Sequence, residues 1–197
     1  MKIKLLILNL AISQVILAQI SNNSGIYFDA KAFSKEISLY RGKYFVLNDV
    51  LGISDSVIEF NIDPLAATSS GEITSLVYKC PQKNKEGLIL GFYGDRWNDA
   101  GVIFQAYAYK NLPKKTALEI LNKIENLMDE HAGYLRTDLD NNNIYFRYDD
   151  MTFLIYMATS GVCSIRIFWN SFDAEWQNIA FKRTKKRLLN KLEDTEK

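Results

Sequence analysis

The sequence predicts a single α+β domain: a mostly antiparallel β-sheet with two main helices, one mid-chain and one C-terminal. Three observations predict it. Short runs rich in β-branched and aromatic residues recur along the chain, bounded by Gly, Asn and Asp. The last of these runs are joined by two-residue turns, which make neighbouring strands antiparallel. Apolar residues at three- and four-residue steps are confined to Ala117–Met128 and to the stretch after Ser171. Strands with short turns and few helices favour an α+β domain whose helices cover one sheet face. A curved half-open barrel around a helix is the alternative closure of the same strands.

The first eighteen residues read as a secretory signal peptide of bacterial type. Lys2 and Lys4 give a positive start, an apolar run follows, and Ala18 supplies the small residue before Gln19. The run from Leu5 to Leu17 falls short of the ~20 residues a spanning helix needs, so removal is favoured over anchoring. The expected setting is the periplasm or cell surface, with no membrane insertion once the signal is cut. Residues 19–25 read as a flexible mature N-terminus, 26–181 as one globular domain, and 182–197 as a basic helix end and tail.

Within the domain, Ile26–Phe28 opens the chain, with a helical turn around Ala30–Glu36. Ile37–Tyr40 and Lys43–Leu47 read as strands about an Arg41-Gly42 turn. Val57–Ile62, Ile73–Cys80, Leu88–Tyr93 and Val102–Tyr109 are the next strand candidates, with a small-residue loop at Ala66–Gly71 and a polar connection at Gly94–Gly101. Pro113 suits a first helical position, where a missing N–H costs nothing. Ala117, Ile120, Leu121, Ile124, Leu127 and Met128 then form one apolar stripe. Gly133 suits the left-handed residue that closes a helix. Ile144–Tyr148, Met151–Met157 and Val162–Trp169 read as a meander. A final helix is expected from Ser171 or Asp173, with Phe172, Trp176, Ile179 and Ala180 inward and Leu188, Leu189 and Leu192 weakly anchored. No internal repeat is evident.

Formal charge is +1, and near −1 once Lys2 and Lys4 leave with the signal. That balance gives no field for nucleic acid or anionic membrane. The local cluster Lys182, Arg183, Lys185, Lys186 and Arg187 reads as a solvated helix face. Cys80 and Cys163 permit one disulfide in an exported chain, with two separate buried thiols as the equal alternative. His131 is the only histidine, placed to serve a helix C-terminus rather than a triad or a zinc site. No phosphate-cradling or nucleophile motif appears, and no cofactor is implied. Asp138, Asp140, Asn142 and Asp149 partly match a calcium loop. Asn143 stands where the turn glycine belongs, so an Asn-rich turn is the better reading.

One polar cluster invites a functional reading. Asp95, Arg96, Trp97 and Asp99 join two strands, and Tyr107 and Tyr109 line one face of the second strand. Aromatic rings beside carboxylates and a guanidinium suit a small polar ligand or a protein partner. The leading expectation is a non-catalytic exported protein that acts by binding there. A carboxylate-based hydrolase using Asp95 and Asp99 is the second reading. An assembly protein using its C-terminal helix is the third.

Overall fold

The computed structural model describes residues 38–52, 54–97 and 100–193. The signal segment, the mature N-terminus, Ile26–Phe28 and Ala30–Glu36 lie outside them. Helix α1 (Ser38–Phe45) runs into a π-helical turn (Val46–Leu51). There follow β1 (Asn61–Ala67), β2 (Ile73–Cys80), a 3-10 turn (Pro81–Lys83), β3 (Lys85–Trp97), β4 (Ile103–Pro113) and α2 (Lys114–Glu130). Then come α3 (Ala132–Thr137), β5 (Asn143–Tyr148), β6 (Met151–Met157), β7 (Cys163–Trp169), β8 (Phe172–Gln177) and α4 (Asn178–Glu193). Strands β1–β4 form antiparallel sheet A in chain order, and β5–β8 form antiparallel sheet B. Neither closes into a barrel.

The order β-β-β-β-α is therefore used twice, a repeat the sequence reading missed. Through the ladders, Leu76–Ile89–Asn111 corresponds to Leu154–Arg166–Glu175. Each fourth strand passes directly into its helix, at Lys114 and at Asn178. Sequence likeness survives in β2 and β6, where Ile-Thr-Ser-Leu-Val-Tyr faces Met-Thr-Phe-Leu-Ile-Tyr. Loop lengths differ between the halves, so equivalent residues keep no constant spacing and no period shows.

Sheet A is apolar on both faces, and β2 is buried along nearly its whole length. Its inner face contributes Leu65, Ile73, Val77, Leu88, Leu90, Phe92 and Leu112 to the main core. That core is completed by α2, by α4 and by the inner face of sheet B. The equivalent residues Phe92 and Trp169 meet at the centre, rings 5.0 Å apart, with Phe172 at 6.0 Å. The outer face, with Ile62, Leu76, Tyr78 and Ile89, is covered by Val46, Val50 and Leu51.

Four sequence expectations are corrected by this packing. Residues 38–51 are helical rather than two strands, because Gly42 is an approach point and not a turn. A Cβ there would sit 2.5 Å from Leu76 Cδ1, so glycine lets the helix lie on the sheet. Lys83 and Lys85 then donate to the terminal carbonyls of Leu51 and Val50, at 2.9 and 2.5 Å. Residues 172–177 are a strand: Phe172, Ala174 and Trp176 are buried while Asp173, Glu175 and Gln177 are not. The turn before it uses Asn170 and Ser171 at φ 50° and 62°, the left-handed pair a tight hairpin demands. Ile179, expected inside, is exposed, whereas Leu188 and Leu192 are core residues. Finally, Pro113 ends β4 instead of opening α2, and Gly133 lies inside α3 rather than closing α2.

The C-terminal helix is held by polar contacts as well. Thr184 and Ser75 hydroxyls meet at 2.6 Å in the interior, Lys185 pairs with Glu125, and Arg187 donates to Leu65 O. Lys191 pairs with Asp63 at 2.8 Å. Part of the basic cluster thus ties α4 to its own domain, and the helix runs unbroken across the expected boundary at residue 182. Leu188→Ala should cost about 2–5 kcal/mol in urea unfolding, as for other fully buried leucines. A weakly anchored helix end would lose almost nothing.

The halves are also joined at Lys110, whose ammonium lies 2.9 Å from Asp149 and 2.5 Å from Asp150. Burial works to raise the Asp150 carboxyl, but hydrogen bonds from Lys110 and Trp169 Nε1 outweigh it and hold it below the usual value. A depressed carboxylate stabilises the fold above its unfolded pKa near ~3.9, and that contribution is lost as pH falls through the folded value. Asp150→Asn should therefore lower stability by up to about 1 kcal/mol at pH 7. Thermal melts of the two proteins should converge as pH falls below the usual carboxylate range.

Candidate functional site

Sheet A runs out of cover at one end. Strands β3 and β4 are its two longest, paired from Gly87–Pro113 to Trp97–Ile103. Their far ends extend past Phe92, the last residue of β3 in the main core. Beyond it the apolar side chains are not buried: Val102, Ile103, Phe104 and Tyr107 are 56, 50, 42 and 43% exposed. Three of them are consecutive in sequence at the tip of the hairpin, where Ile103 and Tyr107 lie on the outer face of the sheet and Phe104 on the inner one.

The ladder places Tyr93, Asp95, Gln105, Tyr107 and Tyr109 on the outer face of sheet A. Asp95 accepts a hydrogen bond from Gln105 Nε2, its partner in register. Tyr107 lies edge-on to Tyr109, ring centroids 6.1 Å apart, and the Arg41 guanidinium lies 5.5 Å from its ring centre. Arg41 belongs to α1, whose Tyr40 and Tyr44 are largely exposed. The helix thus adds a cation and two tyrosines beside the hairpin. The sequence reading missed these three because it took residues 37–47 for strands. Their four-residue spacing, Tyr40 to Tyr44, was the available signal.

The six singled-out residues do not converge on one spot. Asp95 and Tyr107 share the outer face. Tyr109 shares it too, but Phe45 stacks on it at 5.5 Å and its hydroxyl donates to Ser38 O at 3.1 Å. Burial raises its pKa well above the usual phenol range, with Tyr107 adding to the rise and Arg41 opposing it. Tyr109 is a packing residue that seats α1. A Cβ on Gly91 would lie 3.0 Å from its ring, so glycine opposite makes room for it. Arg96 points to the inner side, bonding Asn170 Oδ1 at 2.8 Å with its guanidinium 5.9 Å from the Phe172 ring centre. It links the hairpin to the second half. Asp99 and the side chain of Trp97 lie outside the described residues.

Other sequence features resolve structurally. Cys80 and Cys163 are unbridged buried thiols, Cys80 in the cluster under α1 and Cys163 in the main core. Burial raises the Cys163 pKa against the pull of Lys182, away from the reactive thiolate. His131 joins α2 to α3 through its backbone, donating to Leu127 O and accepting from Leu135 N–H. In the Asp138–Asn143 stretch, Asn141 donates to Asp138, Asn142 donates to Tyr134 O and Thr137, and Asp140 accepts from Thr159. Asp149 is turned to Lys110. Among the described residues no acidic, cysteine and histidine group is arranged to hold a metal, and no helix is long and apolar enough to cross a membrane.

Three clefts are lined by described residues. The largest, about 630 Å³, lies between the β1–β2 turn, the β6–β7 turn and the start of α4. A second, of 450 Å³, opens beside Met128, Cys163 and Lys182, and a third, of 310 Å³, beside Cys80 and Lys114. None of these three is lined by Asp95 or Tyr107. Compared with protein families, curated proteins and solved structures, the chain matches none.

The two tyrosines should part company under mutation. Tyr109→Ala removes a stacked ring that seats α1 and should cost about 2–3 kcal/mol of unfolding free energy. Tyr107→Ala, on the exposed side, should change it by less than about 1 kcal/mol.

Proposed function

We propose that this is an exported, non-catalytic binding protein that holds a protein partner at the β3–β4 hairpin and the neighbouring face of α1. The observation that carries the reading is the exposure of Val102, Ile103, Phe104 and Tyr107 on a sheet whose other apolar residues are covered. Exposed apolar side chains that adjoin one another mark interaction sites more often than they occur by chance. Tyr and Arg flanking them are the residue types enriched in contact energy. Asp95 is engaged by Gln105, which fits a positioning contact better than acid–base work. Export rests on the charged start and short apolar run of residues 1–18.

A photo-crosslinking residue placed at Val102 or at Tyr44, in the producing cell, should capture one and the same protein. The same residue at Ile179, exposed on α4, should not capture it. Val102→Asp should abolish the Tyr44 crosslink while leaving the melting temperature within a few degrees. Equal capture at all three positions, or none at Val102 and Tyr44, would show that the hairpin end is not the binding surface.

A further inference from the structure

Two open sheets have four edge strands, and three of them are guarded. An unguarded edge is a template for another strand, and natural sheets blunt it with charge, Pro, bulges or a cover. Strand β1 carries Asp63, Pro64 and a bulge between Pro64 and Ala66, and Arg187 and Lys191 of α4 reach over to Leu65 O and Asp63. Strand β8 alternates Asp173 and Glu175 with its core residues, and its Glu175 N–H and Gln177 side chain are taken by Glu72 and Ser69. Strand β5 is short, six residues, with Arg147 next to its end.

Among the described residues, strand β4 has none of these devices over most of its length. Ile103-Phe104-Gln105-Ala106-Tyr107-Ala108-Tyr109 contains no charge, no Pro and no Gly, and the β3–β4 register is continuous across it with no bulge. Such a run has the composition that pairs most readily with another strand.

We infer that two copies of this chain join β4 to β4, antiparallel, into one eight-stranded sheet. A twofold axis perpendicular to the sheet keeps each face on its own side, so opposed residues must have the same parity. Centring the axis on Ala106 pairs the uncharged run with itself from end to end. On the inner face Phe104 then opposes Ala108 of the second copy, and Ala106 opposes Ala106. On the outer face Ile103 opposes Tyr109, and Gln105 opposes Tyr107. Large meets small on the inner face, and no charge meets a like charge anywhere along the run. The self-match is what selects a second copy over an unrelated strand, since twofold homodimers require a self-complementary patch. Pairing uses the strand's edge and leaves its faces open, so the inference goes beyond the binding reading and does not rest on it. It sets the two Tyr107 surfaces side by side across the axis.

Sedimentation velocity of the purified protein tests it. A short edge contact should give a concentration-dependent dimer with a dissociation constant on the order of 10 µM. Gln105→Lys with Tyr107→Lys places like charges opposite each other across the axis and should give monomer. Gln105→Lys with Tyr107→Glu places opposite charges there and should restore the dimer. Both doubles suit the monomer, because the ammonium introduced by Gln105→Lys can take over the contact with Asp95. Ala106→Cys should cross-link to itself on mild oxidation, since opposed Cα atoms lie about 4.5–5.5 Å apart, within a disulfide's span. Wild type that stays monomeric to about 200 µM overturns the inference. So do two doubles of equal association state, or Ala106→Cys that fails to cross-link. Val102 and Tyr44 lie off the paired run, so loss of a partner there and loss of the dimer here are read separately.

Discussion

Sheet A has to be covered twice, and most of this architecture answers that one demand. A strand buried on both faces has no solvent-facing side on which to place alternate polar residues. Strand β2 is such a strand. Its inner face is met by α2, α4 and the second half of the chain, and its outer face by the segment from Ser38 to Leu51. The outer cover is thin, two turns of helix and a π-turn, so it works only if the helix comes close. Gly42 permits that approach, Tyr109 stacks under Phe45, and two lysines cap the helix end. Remove the cover and Leu76, Tyr78 and Ile89 face water together.

The second half shows what happens when that demand is absent. Strand by strand it repeats the first, yet the positions equivalent to Ile89 and Tyr109 are Arg166 and Asp173, which pair at 2.5 Å. The position equivalent to Asn111 is Glu175, which accepts from Ser164. The same scaffold therefore carries an apolar outer face in one copy and a polar, self-satisfied one in the other. Only the first needs a helix. The inner faces stay alike because they build one shared core, with Phe92 and Trp169 in contact at its centre.

Much of this was legible in the sequence, and the failures have physical causes. Strands β2, β5 and β6 were legible from β-branched and aromatic runs ended by turn residues, β7 from its alternation and helix α2 from its apolar stripe. Residues 38–51 were not, since Gly42 is locally a turn signal and only contact with Leu76 makes it a helical residue. Strand β8 was misread because Phe172 and Trp176 sit at a helical spacing as well as on one strand face, and Ala174 between them is too small to decide. The deep anchoring of Leu188 was hidden by the basic residues around it, whose partners lie far away in sequence at Glu125, Leu65 and Asp63. At the candidate surface, Gln105, Tyr107 and Tyr109 were legible as one strand face, whereas Asp95 read as part of a connection and only the long β3 puts it on that face. Arg96 was not legible, because its role depends on Asn170, across the boundary between the halves.

The hairpin end is where the two-face requirement and the available cover part. Helix α1 reaches as far as Arg41 over Tyr107, and the second half reaches as far as Arg96 and Phe172. Past those contacts the hairpin continues with Val102, Ile103 and Phe104, all of them exposed. Within it Arg96 bonds Asn170 and Ala106 packs against the main core, so it is the tip past them that adds no buried residue to that core. Exposed apolar strand also carries an aggregation hazard, and a near-neutral formal charge gives little electrostatic repulsion to offset it. Cover and core both stop short of the tip, and that exposed tip is the surface on which the proposed contact rests.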